Sequence, residues 1–178
     1  WMSHQIDTVH WFSGLKHPRS VVANGGIYAW KDGRENWDTI TAVFDYGPEN
    51  DLKSGFQVTF ASRMHNGEDQ PTERYYSKGG ELNQAMNMQA NLLPEMNLKK
   101  IDEKVETGAN TGGDVLTSNH MLNWMECVRS RKETNAPVEA GYSHAIAVIM
   151  ANAAARTGTK VTFDEATQEV MAGDKPFN

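Results

Sequence analysis

The stretch Thr39-Ile40-Thr41-Ala42-Val43-Phe44 decides the fold. Successive side chains of a β-strand point to opposite faces, so Ile40, Ala42 and Phe44 share one face and Thr39, Thr41 and Val43 share the other. A period of two residues with an apolar face predicts a strand that covers a core. Short connections between such runs favour antiparallel pairing with one wetter face.

Other β-branched and aromatic runs surround this stretch and are separated by Gly, Pro, Asn and Asp clusters. Residues 81–82 follow a turn at Lys78-Gly79-Gly80 and are expected to pair with the run before it. We therefore predict strands at residues 20–23, 26–30, 39–44, 56–60, 72–76, 81–82 and 160–163.

Helices are predicted at both ends of this block. In residues 1–16, apolar residues recur at intervals of three, which predicts a helix that ends at Gly14. The apolar pattern is already present at the first residue. We interpret the chain as a fragment of a longer protein. Ser118 is the predicted N-cap of a second helix with an apolar stripe, residues 141–157 form a third, and Gly158 ends it. Residues 91–113 are expected to be mostly loop. The predicted fold class is α+β, with an open, mostly antiparallel sheet and helices on one face.

Composition excludes several classes of protein. The 178 residues suit one domain of ordinary size. Seventeen Lys and Arg against 23 Asp and Glu give a net charge of −6, which argues against a nucleic-acid partner because phosphate binding needs a basic surface. No apolar run approaches the roughly 18 residues that a membrane span requires, so no membrane partner is expected. The single Cys127 cannot form an internal disulfide.

The densest group of chemically active side chains is His4, Asp7 and His10. His4 and Asp7 are three residues apart and therefore share a helix face, where a carboxylate can orient or tune an imidazole. A surface histidine beside a carboxylate is the other interpretation. A metal site is not predicted, because the helical rotation carries His10 well off the face of His4. The sequence contains no Gly-x-Gly-x-x-Gly pattern for a dinucleotide.

Several segments of the chain together resemble a known family. Residues 2–11 resemble the His-x-x-Asp-x-x-x-Trp helix, here His4, Asp7 and Trp11, that opens the second domain of the Gfo/Idh/MocA oxidoreductases. Residues 17–26, 30–34, 38–46, 123–132 and 135–141 are similar to later segments of the bacterial subgroup, in the same order. The resemblance covers nearly the whole chain.

The resemblance implies a domain organisation. Residues 1–178 would be a single C-terminal substrate-binding and dimerisation domain, and an N-terminal Rossmann domain that binds NAD or NADP would lie outside this chain. The cofactor-binding residues are therefore unknown here, and we expect the chain alone to be inactive. A homodimer or higher homo-oligomer through the sheet is also expected.

The resemblance also implies a reaction. The full protein would be an NAD(P)-dependent oxidoreductase that moves hydride between a nicotinamide cofactor and a sugar, cyclitol or related polyol. His4 falls at the position of the catalytic histidine, a general acid–base. Asp7, Trp37 and Asp38 are predicted to bind substrate, although a structural role remains open for each. No metal ligand is predicted.

Two other functions remain open at this stage. One is an NAD-dependent glycoside hydrolase or lyase that oxidises a sugar transiently and then eliminates the glycoside. The other is a non-catalytic binding or assembly domain. The sequence also leaves the localisation open between cytoplasm and periplasm.

Overall fold

A computed structural model describes residues 2–51, 53–64, 72–77, 80–85 and 114–177. These residues belong to two compact units. The first comprises Trp1–Asn66 and Ala136–Asn178, and the second is Gly67–Asn135.

The first unit contains two helices and six strands. Its helices are α1 (Met2–Ser13) and α3 (Val138–Thr157). The second unit contains the helix α2 (Asp114–Ser130) and the strands β4 (Thr72–Ser77) and β5 (Gly80–Ala85). The strands of the first unit are β1 (Ser20–Gly26), β2 (Thr39–Tyr46), β3 (Phe56–Arg63), β6 (Val161–Asp164), β7 (Glu169–Ala172) and β8 (Lys175–Pro176). They form one open sheet in the order β3-β2-β1-β6-β7-β8, and every pairing in it is antiparallel.

The alternation of residues 39–44 is confirmed in β2. Ala42, Phe44 and Tyr46 are buried, while Thr41 on the opposite face is exposed. Val21 of β1 pairs with Phe44 in register and is buried on the same face. The apolar period thus sets which face of the sheet carries the core.

Helix α3 covers this face of the sheet. Its buried side includes Ala147, Ala151 and Ala154, whose small side chains let the helix backbone approach the strands closely, and Met150 fills the space between them. Helix α1 packs on α3 and buries Ile6 and Val9. The chain therefore has an α+β fold with an open, antiparallel six-stranded sheet and helices on one face.

Most of the predicted elements are confirmed. Gly158 ends α3 in the left-handed conformation, with φ at 66°. The strand at residues 160–163 is confirmed as β6, and residues 72–76 and 81–82 form the hairpin of β4 and β5, which is a separate two-stranded sheet. The predicted loop at residues 91–113 lies outside the described residues.

Two predictions were wrong. Residues 26–30 do not form a strand, because β1 ends at Gly26 and the backbone amides of residues 28–30 bind a carboxylate. Ser118 is not an N-cap, since α2 already begins at Asp114. No helix in the described ranges is long and apolar enough to cross a membrane.

Candidate active site

His4 and Asp7 lie on the solvent-exposed side of α1, one helical turn apart. The Thr8 hydroxyl donates a hydrogen bond to the His4 carbonyl oxygen at 3.2 Å, so a side chain of the next turn also contacts the backbone at His4. Residues three apart on a helix are neighbours, so the structure brings an imidazole and a carboxylate to one accessible face. This is the arrangement that the sequence predicted.

Asp7 has a partner on the other helix of the same unit. Its Oδ1 lies 3.4 Å from Nδ1 of His144 on α3, and both side chains remain partly exposed. A carboxylate oxygen only accepts, so the imidazole nitrogen is the donor. The pair links α1 to α3 beside His4.

His10 faces the opposite way, into the core. Its Nε2 lies 2.9 Å from the Tyr46 hydroxyl oxygen at the end of β2, and the residue is only 8% exposed. Burial lowers the pKa of His10 to about 4, although the negative charge of Asp7 opposes this shift. Burial likewise raises the pKa of Tyr46 well above its usual range. His10 is therefore a neutral core side chain at pH 7.

A shared metal ion does not fit this helix. His4 and His10 leave α1 in different directions, one to solvent and one to the core, as the helical rotation requires. Within the part of the chain that the structure describes, no three His, Cys, Asp or Glu side chains are placed to hold a metal ion.

Asp38 organises the loop between β1 and β2. The residue is 1% exposed, and its carboxylate accepts hydrogen bonds from the backbone amides of residues 28–30 at 2.8–3.1 Å and from the Thr39 hydroxyl at 2.9 Å. Burial raises the pKa of Asp38, but these donors outweigh burial and hold the pKa well below its usual range. Both carboxylate oxygens are engaged by the protein itself. The geometry thus assigns Asp38 to the loop and gives no support to its predicted role in substrate binding.

Trp37 packs against β1. A Cβ atom on Gly25 would lie 2.8 Å from Cε3 of the Trp37 ring, so the absence of a side chain at Gly25 makes room for the indole. Trp30 belongs to the same loop, and the Arg34 guanidinium lies over its ring, 4.1 Å from the ring centroid. Trp37 is half-buried and keeps part of its surface accessible.

An open groove of about 550 Å³ lies beyond the C-terminal end of α1. His17 on its wall pairs with Glu165, Nε2 to Oε1 at 2.9 Å, and its ring packs edge-on against Phe163 at 5.0 Å. None of the four predicted site residues lines this groove. The residues that line it are 14–19, Gly47, Phe163 and Glu165.

Sequence reasoning missed His144 and Tyr46, the partners of Asp7 and His10. They lie 137 and 36 residues from those partners along the chain. No local pattern connects such pairs, because they meet only once α3 and β2 have packed against α1.

Comparisons with known proteins show which solved structures share this fold. No family model and no curated protein matches the chain. Several solved structures do, among them the WlbA dehydrogenase from Bordetella pertussis in complex with NADH and UDP-GlcNAcA, aldose-aldose oxidoreductase from Caulobacter crescentus complexed with glycerol, and YvaA from Bacillus subtilis.

The likeness covers almost all of this chain but only part of the others. The three TM-scores are 0.63, 0.63 and 0.65 at 17%, 16% and 16% identity, and each match covers 91% of this chain. The chain spans about half the length of these proteins, 43%, 46% and 51% respectively. At such identities the likeness establishes the fold alone. The chain has the fold of the second domain of these oxidoreductases, so the fold that the resemblance implies is confirmed.

Proposed function

We propose that residues 1–178 are the C-terminal substrate-binding and dimerisation domain of an NAD(P)-dependent oxidoreductase acting on a sugar, cyclitol or related polyol. The fold supports this proposal, as does the pair of His4 and Asp7 on an exposed face of α1. The WlbA structure contains NADH and UDP-GlcNAcA, which supports a nicotinamide cofactor and a carbohydrate-derived substrate for this chain.

The observation that carries the proposal is the position of His4. The side chain is exposed, stands on a helix anchored by Ile6 and Val9, and has a carboxylate one turn away. In alcohol oxidation His4 takes the hydroxyl proton while the carbon gives up hydride, and in the reverse direction it returns that proton. Asp7, exposed on the same face one turn away, would contact the substrate.

The cofactor, when bound, supplies C4 of the nicotinamide as hydride acceptor. The chain has no Gly-x-Gly-x-x-Gly segment, so we propose that the pyrophosphate is held mainly by a Rossmann domain outside it. The exposed imidazole of His4 fits the role of proton acceptor beside such a cofactor.

We retain Trp37 as a candidate sugar contact, because part of its indole is accessible and aromatic faces pack well against sugar rings. The proposal does not extend to Asp38, whose carboxylate is already engaged by four donor groups.

The test is the His4→Asn variant of the protein that joins this chain to its Rossmann domain. We expect turnover to fall by roughly 10²- to 10⁴-fold, the usual share of general acid–base catalysis, with folding and cofactor binding unchanged. His120→Asn, an exposed histidine on α2, is the matched control and should keep normal turnover. If His4→Asn retained the kcat of the parent protein, His4 would be an ordinary surface histidine and the proposed role would be wrong.

A further inference from the structure

Asp7 lies between two histidines along α1, and its carboxylate contacts a third histidine on α3. His4 precedes it by one turn of α1, His10 follows by one turn, and His144 reaches it from α3. His4 is exposed to solvent, whereas His10 is buried against Tyr46. His144 is the member of this group that connects the accessible face of α1 to a second helix.

The backbone around His144 is fixed on both sides. The Ser143 hydroxyl, in the preceding residue, donates to the Lys16 carbonyl oxygen in the connection that follows α1. Ile146 and Ala147, which follow His144, are buried between the helix and the sheet. The imidazole therefore leaves α3 from a well-anchored point, and a side chain so anchored can hold a partner in one orientation.

We propose that His144 is a positioning residue that, through an Nδ1–H donated to Oδ1 of Asp7, orients this carboxylate toward the reaction at His4. The proposal rests on the proposed oxidoreductase function and adds a residue to it. His144 acts through Asp7 and needs no contact with substrate.

The hydrogen bond fixes the tautomer of the His144 ring. A carboxylate oxygen only accepts, so a neutral His144 must carry its proton on Nδ1, whereas free imidazole side chains favour Nε2. The tautomer is a property of the 178-residue chain and is measured without cofactor or substrate. It therefore reports on the pair independently of any activity.

The first experiment measures this tautomer by long-range ¹H–¹⁵N correlation at a pH where the ring is neutral. We expect the Nδ1–H form for His144 in the parent chain and the Nε2–H form in Asp7→Ala. Glu139→Ala removes an exposed acid from the first turn of the same helix and should leave the tautomer unchanged. An Nε2–H tautomer in the parent chain would overturn the proposal, and that spectrum alone is decisive if Asp7→Ala does not fold.

The second experiment measures turnover of the protein that includes the Rossmann domain. His144→Leu removes the donor, and a misplaced catalytic group costs roughly 10- to 100-fold in kcat/KM. His144→Asn puts an amide N–H near the position of Nδ1 and should recover most of that loss. In an Asp7→Asn background, His144→Leu should cause little further loss, because its partner is already altered.

A merely structural role would give a different pattern. His144→Leu and His144→Asn would then be equally impaired, and each would add its full effect to Asp7→Asn. That result would overturn the positioning role while leaving the function of His4 intact. If the parent protein itself had no dehydrogenase turnover, the proposed function would be rejected together with the positioning role of His144, and the tautomer would still show whether the pair forms.

Discussion

Replacing Tyr46 by Phe removes one oxygen atom from the core, and the structure sets the size of the effect. That oxygen lies 2.9 Å from Nε2 of His10, Tyr46 is 1% exposed, and Nδ1 of His10 has no partner among the described residues. The variant therefore leaves a buried imidazole with no hydrogen bond through either nitrogen. Leaving a buried polar group unpaired costs about 1–3 kcal/mol of the free energy of unfolding.

The same histidine makes stability depend on pH. Burial lowers the pKa of His10 from 6.5 to about 4. Between these two pH values His10 is therefore protonated in the unfolded chain but neutral in the folded chain. The unfolded state then binds more protons, and stability falls as the pH drops from 6.5 through 4. The contribution of His10 between pH 7.5 and pH 4.5 is a loss of about 2–3 kcal/mol.

Urea unfolding followed by circular dichroism at both pH values measures each effect. We expect Tyr46→Phe to be less stable than the parent, and His10→Phe to lose the part of the pH dependence that His10 causes. The double variant, which removes both polar partners and keeps two rings of similar shape, should be more stable than Tyr46→Phe alone. If Tyr46→Phe changed the free energy of unfolding by less than about 0.5 kcal/mol, or if His10→Phe kept the full pH dependence, the reasoning about this pair would be refuted.

Two further predictions concern glycine and association. Gly25→Ala should destabilise the first unit by roughly 1–3 kcal/mol, since its Cβ would overlap the Thr39 carbonyl oxygen, whereas Gly141→Ala in α3 meets nothing within 4 Å and should stabilise it by about 0.5–1 kcal/mol. Urea unfolding of both variants checks the opposite signs, and a loss of stability in both would contradict this account. We also propose that the chain forms a homodimer through the sheet face opposite the helices, where Val22 is 46% exposed and pairs in register with Val43. Light scattering at tens of micromolar should then give twice the mass of the chain, and a single-chain mass would reject the dimer.

Local patterns explain why much of the fold could be predicted. The period of two in residues 39–44 and the glycine at the end of α3 act over a few residues, and the structure confirms both. The failed strand at residues 26–30 also has a visible cause. Its β-branched and aromatic residues favour a strand, but three of its amides bind Asp38 eight to ten residues later. A buried carboxylate without hydrogen-bond donors would cost more free energy than the strand propensity of these residues provides, so their amides bind Asp38 instead of a neighbouring strand.

The candidate site divides in the same way between local and distant determinants. The pair of His4 and Asp7 follows from helical spacing, so the sequence was enough to predict it. Their setting depends on distant contacts, since Asp7 meets His144 across two helices and His10 meets Tyr46 across a helix and a strand. Spacing along one element says nothing about the rotation of that element against its neighbours.

That rotation decides which histidine of α1 meets solvent. A turn of about 100° about the helix axis, the angle of one residue, would carry His4 away from its present side and move His10 out of the core. Ile6 and Val9 resist this turn by their burial, but an apolar contact has no direction. The hydrogen bond between His10 and Tyr46 is directional and requires one setting of the helix. We therefore propose that Tyr46 acts on the proposed site without touching it, because its hydrogen bond to His10 fixes the face of α1 on which His4 and Asp7 lie. If the proposed oxidoreductase function is right, Tyr46→Phe should lower turnover of the protein that includes the Rossmann domain, and turnover that stayed at the parent level despite lost stability would contradict this role of Tyr46.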